Sequence, residues 1–164
     1  MKKLLLLSTL FLALSCSGDN EEFLEEVAIN FLEKNDGKGF SYQDGNRDHF
    51  IFFYDSDIFL KEAYREYNPD GSYDSFCLTT KEGSNTDNGQ NFTAEILKNV
   101  QDALDVRITY SGDEGNTTVK NYEYRQVCDT TDCLEYSIGV TDGLRSSENI
   151  FEYETTRTHN DLCN

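Results

Sequence analysis

Apolar and polar residues alternate with a period of two in several segments after Gly37. Strands are predicted over residues 104–110, 134–140 and 151–155, where the alternation is strict, and over residues 92–97 and 119–127. A strand shows this alternation when one face is buried and the other is solvated, as in an antiparallel sheet. The spacing between these segments leaves no room for β-α-β crossovers and favours an antiparallel barrel or sandwich.

Two segments depart from this period. Residues 50–54 are apolar at every position, so both faces of that strand must be covered. Residues 20–34 carry Phe23, Val27 and Phe31 at intervals of four, which predicts an amphipathic helix. This N-terminal helix is the simplest cover for the outer face of the apolar strand.

Residues 58–67 fit both a helix and a strand. Asn68-Pro69-Asp70-Gly71 is a strong turn sequence, because proline presets φ and glycine accepts a positive φ. We favour the strand, since the turn then joins it to residues 72–79 as a hairpin. The polar, glycine-bounded segments 83–89 and 112–116 are predicted as loops.

The N-terminus has the pattern of an export signal. Lys2 and Lys3 precede an apolar stretch over residues 4–14, which is too short for a membrane span of ~20 residues but typical of a signal peptide. It ends in Ala13-Leu14-Ser15-Cys16, which resembles a lipobox, the acylation signal of bacterial lipoproteins. The alternative is an ordinary cleaved signal followed by a structural cysteine.

The lipobox implies an outer-membrane lipoprotein attached to the membrane by lipid on Cys16. The resulting organisation is a signal peptide over residues 1–15, an acidic tether over 16–22 and a single domain over 23–164. The tether resembles the surface-export signal of some Gram-negative lipoproteins, so we favour a surface-exposed location slightly over a periplasm-facing one.

The charge of the chain excludes one large class of partner. Asp and Glu number 31 against 14 Lys and Arg, and the formal net charge is −17. Nucleic-acid binding needs clustered basic residues that neutralise phosphates. We therefore predict no nucleic-acid partner.

Four cysteines remain once Cys16 is acylated: Cys77, Cys128, Cys133 and Cys163. An even number in an exported chain favours two disulfides, for which three connectivities are open. We favour Cys128–Cys133 and Cys77–Cys163. No metal or cofactor is predicted, because the close cysteine pair is C-x₄-C and the two histidines are distant from it in sequence.

No motif identifies a catalytic centre. His49 and His159 lack a neighbouring nucleophile motif, and a G-x-S-x-G sequence is absent. The Asn68 loop resembles a calcium loop but has Tyr73 at its sixth position, where glycine is required. We predict no catalytic residues and no enzymatic activity.

The order of segments resembles the small lipocalin-like lipoproteins of bacterial envelopes. A lipoprotein cysteine and acidic tether precede an entry segment (residues 31–38), an aromatic strand, a hairpin and the segment 95–106. The resemblance covers roughly residues 29–127, with Phe40 where the family usually has tryptophan. It implies an all-β, eight-stranded, up-and-down antiparallel barrel with a short N-terminal helix, wide enough for one small ligand.

That fold makes a ligand-binding or accessory module of the envelope the expected function. The inward residues expected to line a site for a small apolar ligand are Phe52, Leu104, Val106, Tyr136 and Phe151. The same residues would fill the core of a protein without a cavity. The alternative is therefore a structural or interaction lipoprotein with an envelope protein as its partner.

Overall fold

A computed structural model describes residues 28–87, 89–112, 116–127, 133–140, 145–154 and 156–163 of the 164-residue chain. The predicted signal peptide and tether lie outside these residues. The described elements are α1 (Phe31–Lys34), β1 (Gly39–Asp44), β2 (Arg47–Phe53), β3 (Ile58–Tyr67), β4 (Tyr73–Lys81), β5 (Gly83–Asp87), β6 (Gln90–Val100), β7 (Ala103–Ser111), β8 (Thr117–Gln126), β9 (Cys133–Val140), β10 (Arg145–Glu154) and α2 (His159–Leu162). Neither described helix has the length and apolar character needed to cross a membrane.

The strands form one antiparallel sheet in the order β4-β3-β2-β1-β10-β9-β8-β7-β6-β5. Pairing of β1 with β10 curls the sheet into a nearly closed barrel, with β4 and β5 as its two edges. The predicted all-β, antiparallel barrel class is confirmed. The predicted number of eight strands is wrong, because the described sheet has ten.

One of the additional strands is β5, which lies in a segment predicted to be a loop. Its sequence, Gly-Ser-Asn-Thr-Asp, offers no apolar alternation, and only Asn85 is buried. The Asn85 side chain accepts a hydrogen bond from the Lys81 N–H (2.9 Å) and donates one to the Lys81 carbonyl (2.8 Å). The strand is therefore held beside the end of β4 by polar contacts and by its pairing with β6.

The predicted hairpin around the Asn68 turn is confirmed, and residues 58–67 form a strand. Tyr67 pairs with Tyr73 across the turn, and Gly71 has a φ of 85°. The Asn68 N–H donates to the Ser72 carbonyl at 2.8 Å. The Oδ1 atom of Asp70 accepts hydrogen bonds from both the N–H and the hydroxyl of Ser72, which stabilises the turn.

Strand β2 is buried on both faces, as predicted. On its inner face Ile51 and Phe53 belong to the main core of the barrel, and on its outer face Phe50 and Phe52 pack with Leu162. The expected cover for that outer face was wrong, because Leu162 belongs to the C-terminal helix α2.

The predicted helix over residues 20–34 is wrong at residues 28–30, which are not helical, and the short helix α1 that follows them has a different role. Helix α1 begins at Phe31, and the preceding N-cap residue Asn30 forms a capping box with Glu33. It inserts Phe31 and Leu32 into the main core, where the Phe31 ring meets the Phe53 ring edge-on at 5.0 Å. These two side chains cover the end of the barrel at which β2 ends and β3 begins, hereafter the closed end.

The disulfide Cys77–Cys163 is present and joins β4 to the residue that follows α2, confirming this predicted pair. Cys133 is also disulfide-bonded. Its predicted partner, Cys128, lies outside the described residues, so that pairing stays a prediction.

Replacing Gly39 by alanine is expected to lower the free energy of unfolding by about 1–3 kcal/mol, because a Cβ there overpacks the barrel wall. It would lie 2.5 Å from Cε1 of Phe52, whereas the nearest atom to a Cβ at Gly139 is 3.7 Å away. Gly139→Ala is therefore the matched control, expected to retain wild-type stability. Urea unfolding of both variants measures the difference, and equal losses would contradict this account.

Candidate functional site

Three polar side chains of β2 and β3 belong to the inner side of the barrel wall. His49 lies two positions before Ile51, so it shares the inner face of β2. His49 pairs with Tyr64 across the β2–β3 ladder, and Glu62 lies two positions before Tyr64 on the same face. Glu62 is only 2% exposed, so a carboxyl group is buried among the aromatic and aliphatic side chains of the interior.

These three side chains form the His–Glu–Tyr cluster. The Nε2 atom of His49 lies 2.9 Å from Oε1 of Glu62, and the Tyr64 hydroxyl donates to the same oxygen at 3.0 Å. The His49 and Tyr64 rings are stacked with centroids 4.0 Å apart. Two hydrogen bonds on one oxygen offset part of the cost of burying the carboxylate.

Five tyrosines surround this carboxylate. Burial raises the pKa of each of them, and the negative charge of Glu62 raises it further; the five are Tyr64, Tyr110, Tyr122, Tyr124 and Tyr136. Their phenol groups therefore stay protonated at neutral pH and offer hydrogen-bond donors. The Tyr124 hydroxyl is fully buried and has no hydrogen-bond partner among the residues that the structure describes.

A pocket of about 410 Å³ lies at the end of the barrel opposite α1, hereafter the mouth. Its lining residues are Tyr42, Asp44, Arg47, Asp48, His49, Tyr64, Arg65, Glu66, Phe76 and Asn149. Phe76 is 58% exposed and Tyr64 is 37% exposed, so two aromatic side chains are open to solvent in the pocket. Tyr64 connects the pocket to the buried cluster, because its hydroxyl reaches Glu62.

Ion pairs hold several of the charged side chains at the mouth. Arg47 and Glu66 form a pair with Nη2 and Oε1 3.1 Å apart. Asp48 accepts a hydrogen bond from the Tyr67 hydroxyl at 2.9 Å and lies 4.0 Å from the guanidinium of Arg157. The mouth is therefore a polar and aromatic surface around a buried carboxylate.

The residues predicted to line a ligand site lie elsewhere. Phe52 packs on the outer face of the barrel against α2. Leu104, Val106, Tyr136 and Phe151 belong to the main core, and none of the five lines the mouth pocket. Of these five residues, Tyr136 and Phe151 contact a residue that lines the pocket: their ring centroids lie 5.5 and 5.0 Å from that of His49. They lie against the His–Glu–Tyr cluster.

From the sequence, His49 is a candidate only as an isolated acid–base residue, and Glu62 is not predicted to belong to a site. The available signal was the strand period, which puts Glu62 on one face with Leu60 and Tyr64. A charged residue on the apolar face of a strand indicates a buried partner. That partner could not be named without the register of β2 against β3.

The second histidine lies at α2, outside the barrel. His159 lies with Cys77 and Cys163 in a group whose ligand atoms are within 4.8 Å of one another. The two sulfur atoms are joined in the disulfide, so they are not free thiolates for a metal. The His159 ring packs edge-on against Phe52 with centroids 6.0 Å apart, which helps α2 to cover the outer face.

Acidification is expected to weaken the attachment of α2. Burial lowers the pKa of His159 and the charge of Lys61 lowers it further, while a hydrogen bond with the Glu62 backbone partly offsets both effects. The unfolded chain therefore binds this proton more readily, so stability falls as pH drops below about 6.5 and is retained above that value.

Urea unfolding at pH 7.5 and 5.5 measures this effect in the wild type and in His159→Asn. Between pH 7.5 and 5.5, we expect the free energy of unfolding to fall more in the wild type than in the variant. Equal losses would show that His159 does not carry the effect.

No protein-family model matches the chain, and no curated protein or solved structure matches it either.

Proposed function

We propose that this protein is a lipid-anchored envelope lipoprotein whose lipocalin-like barrel binds a small ligand at its mouth. The observation that carries the proposal is the pocket of about 410 Å³ with the His–Glu–Tyr cluster beside it. Ligand pockets are typically ~300–1,000 Å³ and combine apolar walls with a few convergent polar groups. The mouth pocket has both properties.

The buried cluster favours a binding role over that of a filled structural barrel. Burying a carboxylate beside an imidazole costs stability that an apolar pair of similar volume would not. Ligand sites use a few placed polar groups to fix the orientation of what they bind. The cluster also lies beside a pocket with solvent-exposed aromatic walls.

The proposal puts the ligand at the mouth and not deep in the barrel. Aromatic and aliphatic side chains of the main core fill the interior between the cluster and the closed end, among them Phe40, Phe53 and Tyr124. In this proposal the ligand contacts the polar and aromatic mouth residues, and the apolar residues expected from the sequence support the cluster.

The lipid anchor gives the site an orientation in the same proposal. Acylated Cys16 precedes α1 in the chain, and α1 lies at the closed end. The closed end then faces the membrane to which Cys16 is attached. The mouth faces away from that membrane, where a soluble ligand reaches it.

Native mass spectrometry of the full-length protein, purified in detergent from its own host, tests the proposal. We expect a reproducible non-covalent mass on the wild type and a covalent acyl mass that Cys16→Ser removes. Asn149→Tyr, which introduces a larger side chain into the pocket, is expected to lose the non-covalent mass.

Asn91→Tyr is the matched control, because Asn91 is exposed on β6 and does not line the pocket. It is expected to retain the non-covalent mass. A ligand-free wild type, or equal occupancy in the two tyrosine variants, would contradict binding at the mouth. Absence of the acyl mass would contradict the lipid anchor.

A further inference from the structure

We propose that the ligand of the mouth pocket is a small organic cation, a protonated amine or quaternary ammonium group carried on an apolar body. The inference rests on the proposed binding function and adds the chemistry of the ligand. Three features of the mouth carry it: its excess of carboxylates, its aromatic walls and the buried charge of Glu62.

The charged groups at the pocket are unequal in number. Those among the lining residues, together with their contacts Glu62 and Arg157, comprise four carboxylates and three guanidinium groups: Asp44, Asp48, Glu62, Glu66, Arg47, Arg65 and Arg157. Arg157 lies 4.0 Å from Asp48. Arg47 is occupied by its ion pair with Glu66, and Arg65 lies over the Tyr73 ring at 4.7 Å. None of the three guanidinium groups forms a described ion pair with Asp44. A positive ligand group would neutralise part of the remaining charge.

The walls of the pocket suit a cation with an apolar body. Tyr42, Tyr64 and Phe76 offer ring surfaces, and a cation within ~6 Å of a ring centroid is attracted by the negative face of the ring. The barrel uses this contact elsewhere at its mouth, where the Lys120 ammonium lies 5.3 Å from the centroid of Tyr110. Aromatic surface beside carboxylates is the combination that binds ammonium groups.

The field of Glu62 discriminates against anions. Its carboxylate is buried beside His49, and the phenols around it are neutral donors. A carboxylate ligand at the pocket would meet this charge through a medium of lower dielectric constant than water, where repulsion is stronger. The net charge of −17 adds a longer-range attraction for cations and repulsion of anions.

Isothermal titration of the full-length protein in detergent tests the inference with three probes of similar shape. These are benzyltrimethylammonium, neutral benzyl alcohol and anionic phenylacetate. We expect the cation to bind about fivefold more tightly than the alcohol, as a cation–π contact at solvent-exposed rings allows. Phenylacetate is expected to bind more weakly than both.

Two charge variants and one aromatic variant test the contacts of the ligand. Asp44→Asn is expected to weaken cation binding about fivefold, as for the loss of one partly screened charge. Asp57→Asn makes the same change of charge in the exposed turn between β2 and β3 at the other end of the barrel, and is expected to leave binding unchanged. Phe76→Leu is expected to weaken binding of the cation more than binding of the alcohol.

The outcomes distinguish this inference from the binding function itself. If the alcohol binds as tightly as the cation and Asn149→Tyr abolishes both, the cation inference is overturned and the binding function stands. If the cation fails to bind, the inference is also overturned. A native mass spectrum without any ligand in the same preparation would then remove the binding function as well.

Discussion

Replacing both Cys77 and Cys163 by serine is expected to lower the free energy of unfolding by about 4–5 kcal/mol, the loop-entropy value for a crosslink of this length. The two residues are 86 positions apart, so the bond restricts a large part of the unfolded chain. It also holds α2 over Phe50 and Phe52, two side chains that would otherwise face water.

Urea unfolding followed by circular dichroism measures that loss. Thr158→Ala is a useful comparison, because Thr158 caps α2 and its removal leaves the disulfide in place. Loss of a helix cap costs typically ~1 kcal/mol. The serine variant is also expected to bind a hydrophobic dye through the uncovered outer face. A loss as small as that of Thr158→Ala would argue against this role of the bond.

Replacing His49 by leucine is expected to lower the free energy of unfolding by about 3–5 kcal/mol, because it leaves the Glu62 carboxylate buried without its imidazole partner. The double variant His49→Leu/Glu62→Leu removes both polar groups and is expected to recover most of the loss. The reason is that an apolar pair of suitable volume fills the same space without a desolvated charge.

A double-mutant cycle measures this coupling, and the mouth supplies a matched control pair. The side chains of Arg47 and Glu66 are 69% and 45% exposed, so their ion pair is largely screened by solvent. Their coupling energy is expected to be below about 1 kcal/mol. A double variant of His49 and Glu62 that is less stable than His49→Leu alone would contradict the account of the buried pair.

The sequence predicts the barrel class because its evidence is local. Strict alternation along residues 104–110 and the turn at Asn68 each depend on neighbours in the chain. By contrast β5 has no apolar alternation, and the four residues of α2 are too few to show a helical period. Both are held by contacts with distant residues, one by pairing with β6 and the other by the disulfide.

The candidate site could not be predicted from the sequence for a related reason. Apolar inward positions such as Val106 and Phe151 favour the prediction of a lined cavity, but in the structure these side chains fill the core. The mouth pocket is built largely from polar and aromatic residues near strand ends, including Asp44 and Phe76. Barrel closure and strand register determine which of these side chains come together at the mouth.

Barrel closure has a consequence for the order of folding. Every described ladder except one joins strands that are consecutive in the chain, so most pairings form from hairpins at low contact order. The exception pairs residues 39–41 of β1 with residues 152–154 of β10, near opposite ends of the described chain. Because that loop closure carries the largest entropic cost, we expect the β1–β10 ladder to form late. Substitutions there should accelerate unfolding while leaving the folding rate nearly unchanged.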